Sequence, residues 1–240
     1  MNTPTKPTPS KAALRGELLI DALSIACEDL GALQPDCIRI PEGNNLLLRA
    51  AWPDQLVGRT TVSPGIDLLM PAEGARGPWT LGASITISGT GDTFHLPTST
   101  GPIRSGQLGQ RVKEALDTQA RILAQVELMA GNRLSEDDSK ALLTGLFQRG
   151  FGLEMQEILT PAMHKELTTM NASFEQALVM HGATWWGLFA GMLQFTNRRA
   201  RRRSPRHTYI MAGKGCRLNT IFFDVLNEHA ARCTATVLQH

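Results

Sequence analysis

The spacing of apolar residues changes near Ser105 from strand-like to helical, and no other feature constrains the fold as much. Before that point CIRIP, NLLLRAAW, GIDLLM, WTLGASITIS and DTFHLP are short apolar segments parted by Pro, Gly, Asn and Asp. In TLGASITIS, Leu81, Ala83, Ile85 and Ile87 alternate with small or polar residues, the pattern of a half-buried strand. GTGD at 89–92 reads as a hairpin turn. Short strands joined by tight turns pair antiparallel, so this part predicts a twisted sheet of four to six strands. After Ser105 the period becomes helical. Leu108, Val112, Leu116, Ile122, Leu123, Val126 and Met129 mark one face of a long helix, with Ser105 as its N-cap and Gly131 or Asn132 at its end.

The flanking segments complete an α+β pattern: a twisted antiparallel sheet packed with a long helix, followed by a helical C-terminal half. Residues 1–13, with three prolines, read as a flexible arm. Residues 14–240 read as one domain, sheet-rich over 14–104 and helical over 105–240. Leu14, Leu18, Ala22, Ile25 and Ala26 predict an amphipathic helix ending near Gly31. Ser135-Glu-Asp-Asp138 resembles a capping box and opens a helix through Phe147, which Gly150 and Gly152 break. A short segment, LEMQEILT, ends at Pro161. A long helix over 162–196, a basic loop, and a last helix from Leu218 to Thr234 follow.

Charge is distributed unevenly. Between Gln176 and Phe223 there is no acidic residue, whereas Arg198, Arg199, Arg201, Arg202, Arg203, Arg206, Lys214 and Arg217 are basic. Those are eight of the 24 basic residues, leaving 16 against 22 acidic ones elsewhere, so a mildly acidic chain carries one strongly basic segment. Guanidinium groups bind phosphate bidentately, and a cluster of them on a polyanion releases counterions. His207 and Tyr209 lie within the segment, where aromatic rings are expected to stack on unpaired bases. A solvated loop, helix C-terminal charge compensation or an acidic protein partner are the competing explanations. Compensation at a helix end accounts for Arg198 and Arg199 but not for six arginines in nine positions.

Other chemistry finds little support. The six histidines are scattered without ligand spacing, and Asp92 and His95 on a strand would point to opposite faces, so no metal site is predicted. No GxSxG is present, and Glu136, Asp137 and Asp138 are explained by the first turn of a helix. AGKGCRLNT fails as a phosphate loop: Thr208 stands where its first glycine belongs, and Gly215 where a hydroxyl would reach magnesium. No catalytic residue and no cofactor are therefore expected. Cys27, Cys37, Cys216 and Cys233 form no CxxC pair, no apolar leader precedes them, and the apolar run near Trp185 is too short to span a bilayer. The expected location is cytoplasmic. Trp185 and Trp186, with Leu188, Phe189, Met192, Leu193 and Phe195, read as a helix enclosed by the core.

Thr184-Trp-Trp-Gly-Leu-Phe-Ala-Gly-Met-Leu-Gln-Phe-Thr-Asn197 resembles the C-terminal signature of the phage/plasmid-like protein family of unknown function. That signature runs approximately Thr, any, Trp, Gly, Leu, aromatic, Asn, Ala, apolar, Thr, any, Tyr, any, Asp, ahead of a basic loop and a last helix. The similarity in element order extends from about Asn45 onward. Ala190, Leu193, Phe195 and Asn197 depart from the family's Asn, Thr, Tyr and Asp. The resemblance implies a mobile-element protein and carries over no catalytic residue. The predicted architecture is also similar to that of phage annealing proteins. The expectation is a nucleic-acid-binding protein, specifically a single-stranded DNA-binding or annealing protein of recombination or replication. It would act as a homo-oligomer with no membrane association, contacting phosphates through the eight basic residues and bases through His207 or Tyr209. The rival is a protein-binding accessory or anti-defence factor whose basic loop engages an acidic partner.

Overall fold

The structure, a computed structural model, describes residues 11–30, 33–72, 76, 79–151, 160–201 and 206–237. It is α+β. Helix α1 (Lys11–Leu30) is followed by β1 (Asp36–Glu42), β2 (Asn45–Ala51), β3 (Gln55–Val57), β4 (Thr60–Pro71), β5 (Thr80–Ile87) and β6 (Thr93–Thr100). These strands form an antiparallel sheet in the order β1-β2-β4-β5-β6, with β3 paired to the start of β4. Each of the five apolar segments forms a strand, and Gly89 and Gly91 turn β5 into β6 with positive φ. The three-residue β3 is too short to leave a readable alternation.

Register assigns the faces. Val62 lies opposite Ile87, Ile66 opposite Ala83 and Leu68 opposite Leu81, so these apolar side chains share one face with Leu48 and Ala50. That face packs on α1 and on α2 (Leu108–Gly131), which spans two apolar clusters. Its first half, through Leu108, Val112 and Leu116, joins Leu23 and Ala26 of α1. Its second half, through Ile122, Val126 and Met129, shares a cluster with α3 (Glu136–Phe151), α4 (Pro161–His181), α5 (Trp185–Arg201) and α7 (Lys214–Val237), while α6 (Arg206–Ala212) belongs to a separate cluster on the other face of the sheet. Phe94 of β6 joins sheet to helices, meeting Phe189 edge-on at 5.2 Å and stacking on Phe223 at 4.7 Å.

Several helix boundaries differ from expectation. A 3-10 turn over Ser105–Gln107 precedes α2, so Gln107 and not Ser105 occupies the N-cap position, without a capping side chain. Gly150 does not break α3: it lies against Phe222 and Leu218, where a Cβ would stand 2.8 Å from the Phe222 ring, and lets α7 approach. Most of LEMQEILT lies outside the described residues. The predicted helix 162–196 is two antiparallel helices, α4 and α5. Gly182, at φ +95°, ends α4, and Thr184 accepts a hydrogen bond from the Gly187 N–H (3.1 Å) to begin α5. On α1, Leu18 and Ile25 face solvent, and the buried side is Leu23, Ala26 and Cys27.

The tryptophan run is core, as expected. Trp185 and Trp186 are 2% and 1% exposed, with Trp185 parallel to the His229 ring of α7. The polar end of this motif is buried as well. Thr196 donates to Asn219 Oδ1 (2.7 Å), and Asn197 donates to the Leu193 and Thr93 carbonyls, which ties α5 to α7 and β6.

Candidate nucleic-acid interface

The opposite face of the sheet carries a polar centre. Arg49 on β2 donates from Nε and Nη2 to the two Asp67 oxygens (2.7 and 2.8 Å), a bidentate pair across β2 and β4. Burial alone would raise the Asp67 carboxyl, but the charge and hydrogen bonds of Arg49, aided by His95 and Ser84, hold it below its ordinary value. His95, fully buried on β6, places Nδ1 4.0 Å from Asp67. Burial lowers its pKa to about 4; Arg49 works in the same direction and Asp67 against it. The imidazole is therefore neutral at pH 7, and neither ring nitrogen has a hydrogen-bond partner.

The predicted basic loop covers this face as helix. The last turn of α5, all of α6 and the first turn of α7 are helical, and Arg202 and Arg203 lie outside the described residues, as does the side chain of Arg201. Ile210 and Met211 of α6 pack on Leu47 and Leu69. Asn45 donates to the Thr208 hydroxyl (2.9 Å), and Arg206 donates to the Gly91 carbonyl (2.8 Å) and to Asn197 Oδ1 (3.2 Å). A helix seated so firmly is one that apolar contacts hold, which the string of arginines concealed.

The predicted site residues consequently do not form one surface. Arg199 pairs with Glu166 on α4 (2.9 Å) and lies over the Phe195 ring. Arg198 turns to Gln176 of the same helix (2.8 Å). Arg206 is committed inward to the β5–β6 turn. Tyr209 is half-buried, with its ring against Gly215 and Ile40 nearby, and His207 is half-buried beside it in sequence. Lys214 and Arg217 are exposed on α7 at i,i+3 spacing, hence on one face, and have no acidic partner among the described residues.

Arg217 lines a cavity of about 710 Å³ between the start of α7, the ends of β4 and β6, and the β4–β5 connection. Arg76 and Trp79 of that connection line it too. Arg76 is exposed and, like Arg217, without an acidic partner among the described residues. Trp79 is half-buried, packed on the cluster under α1 and α2 while bordering the cavity. Pro71, Pro97, Pro102 and Met211 supply apolar wall, and the Cys216 thiol, pushed up to about 11 by burial, is neutral there. The first N–H groups of α7 lack intrahelical partners and add positive potential at the same end.

Arg76 and Trp79 are the residues sequence reasoning missed. GARGPW lies in a Gly- and Pro-rich connection, and an arginine three residues before a tryptophan in such a connection was the available signal. A second cavity, of about 590 Å³, also holds two arginines, Arg59 and Arg133. It lies where α2 and α4 both end, so those cations face the negative ends of two helices and are accounted for locally. The α7 cavity borders both the carboxyl end of α6, at Met211 and Ala212, and the amino end of α7.

No known protein family, curated protein or solved structure matches this chain significantly. Among the described residues no group of three or more His, Cys, Asp or Glu side chains is placed to hold a metal ion, and no helix is long and apolar enough to cross a membrane.

Proposed function

We propose that this chain is a single-stranded nucleic-acid-binding protein of a phage or plasmid, serving annealing or replication without covalent chemistry of its own. One observation carries this reading: Arg76 and Arg217, both exposed and without acidic partners among the described residues, border a single cavity at the amino end of α7, with Lys214 on the same helix face. Exposed guanidiniums beside a helix N-terminus favour phosphate. The segment from 176 to 223 supplies no acidic residue of its own to offset Lys214 and Arg217. The mobile-element assignment rests on the resemblance of residues 184–197, and assembly along a strand is part of the same proposal.

A salt-dependent titration tests it. A fluorescein-labelled 20-mer of thymidine should bind the full chain at low salt, with affinity falling steeply as salt rises. Each lost phosphate contact lowers the log–log salt slope by about 0.7 for a single strand. Arg76→Gln and Arg217→Gln should each reduce affinity and slope, and light scattering should show a mass that grows with oligonucleotide length. Absence of binding at low salt to any single-stranded DNA or RNA sinks the proposal.

A further inference from the structure

The two ends of the sheet are finished differently. On β6 the Thr93 and His95 carbonyls accept from Asn197 Nδ2 (3.4 Å) and Cys216 Sγ (3.8 Å), so α5 and α7 close that edge. At the other end β1 pairs with β2 alone. Register shows which of its groups are left over. The Ala72 N–H bonds the Asn44 carbonyl and extends the β2–β4 ladder, so the even residues of β2 bond β4 and the odd ones bond β1. The odd residues Asn45, Leu47, Arg49 and Ala51 lie opposite Glu42, Ile40, Ile38 and Asp36. The backbone amides of Cys37 and Arg39 therefore point away from the sheet, and no described residue bonds them. Pro35 and Pro41 bound this open stretch and have no N–H. Ile38, between the two open residues, is 49% exposed.

We propose that β1 pairs antiparallel with β1 of a second copy of this chain, about a two-fold axis at Ile38, and joins the two sheets into one. The occupant is the chain itself because the open stretch is matched by its own reverse: two free amides, a central isoleucine and a proline at either end. A two-fold axis normal to the sheet keeps every side chain on its own face, so facing residues differ by an even number of positions. Setting Cys37 opposite Arg39 of the second copy joins the open amides by four hydrogen bonds. It also brings Ile38 against its own counterpart in the closer, non-hydrogen-bonded position. One shift of register would set Arg39 opposite Arg39, and the other would set Asp36 opposite Ile38, so both are disfavoured. The prolines end the ladder on each side, which keeps the interface small and the association weak. Because the contact is isologous and β6 is closed, it stops at two copies and does not grow into a fibre.

The test uses the full chain without nucleic acid, so it stands apart from the nucleic-acid reading. Light scattering should give the monomer mass when dilute and approach twice that mass as concentration rises into the hundreds of micromolar. Arg39→Pro removes an outward N–H while leaving the β1–β2 bonds intact, and Ile38→Asp sets two carboxylates face to face. Each should raise the dissociation constant by about tenfold or more. Under mild oxidation Ile38→Cys should crosslink to a covalent dimer, since facing residues of a close pair stand within disulfide reach. Leu56→Cys, on the 73% exposed Leu56 of β3, should not. A chain that stays monomeric at the highest concentration overturns the proposal. A dimer that Arg39→Pro and Ile38→Asp leave unweakened, in proteins with unchanged circular dichroism, overturns it as well. If those variants do not fold, the crosslink decides: Ile38→Cys yielding no more covalent dimer than Leu56→Cys overturns it.

Discussion

A Cβ at Gly187 would stand 2.1 Å from the Gly182 carbonyl oxygen, and one at Gly191 would stand 2.9 Å from the Phe174 Cα. The neighbours are backbone, which cannot rotate away. These glycines set how closely α5 lies on α4, and with it where the buried Trp186 and Phe189 rings sit. Gly191→Ala should therefore destabilise the protein by about 1–3 kcal/mol, read as a lower urea midpoint at unchanged slope. Gly109→Ala, on the exposed side of α2 with nothing within 4 Å, should be neutral or slightly stabilising and serves as its control. Residue-level context separates the arginines as sharply. Arg199→Gln breaks an ion pair with Glu166 but should leave oligonucleotide affinity within about twofold, since that guanidinium is already engaged. Arg217→Gln, with no pair to break, should lower affinity several-fold. Equal losses from the two would show that total charge governs binding and the cavity does not.

At the scale of elements, α6 shows what a linear pattern hides. It is seven residues long, begins with an arginine, is held over β2 and β4 by Ile210, Met211 and Thr208, and is tied to the β5–β6 turn by Arg206. Arg206→Gln should loosen it, and hydrogen exchange should report faster exchange at Ile210 and Met211 with β4 and β5 unchanged. The expected cost is about 1.5–3 kcal/mol, the range for hydrogen bonds to a charged group. The strands were legible because Leu81, Ala83, Ile85 and Ile87 place a period-two signal on one buried face. The long α2 was legible because one stripe faces the sheet along its whole length. The α4–α5 break was not, because Gly182 and Thr184 carry it in three residues and glycines also occur inside helices, as Gly150 does. Arg217 was legible as charge. Its cavity was not, because the partners Arg76 and Trp79 come from a connection between strands that only the tertiary fold brings to α7.

At the scale of the molecule, the sheet is buried on both sides, and the two sides differ in kind. One side is apolar against α1 and α2; the other holds Arg49, Asp67, Ser84 and His95 beneath α6 and the start of α7. Cys216 of α7 reaches the His95 carbonyl (3.8 Å), so the helix bordering the cavity rests on this centre. His95 has a pKa of about 4 when folded against 6.5 when exposed. Between those values the unfolded chain binds the proton and the folded one does not, so acid favours unfolding. Stability should be full above about pH 6.5 and fall by about 3 kcal/mol as the pH drops toward 4. Asp67, held below its ordinary 3.8, adds a further loss only at lower pH, as its carboxylate becomes protonated and the pair with Arg49 breaks. Urea unfolding of the unaltered protein and of His95→Gln between pH 4 and 7 separates these contributions. The variant is expected to lose most of the slope in that window, keeping the part that belongs to His181, whose pKa burial also lowers, and the steep loss below pH 4. An equal slope in both proteins would mean that His95 titrates freely and that the face beneath α6 is open to water.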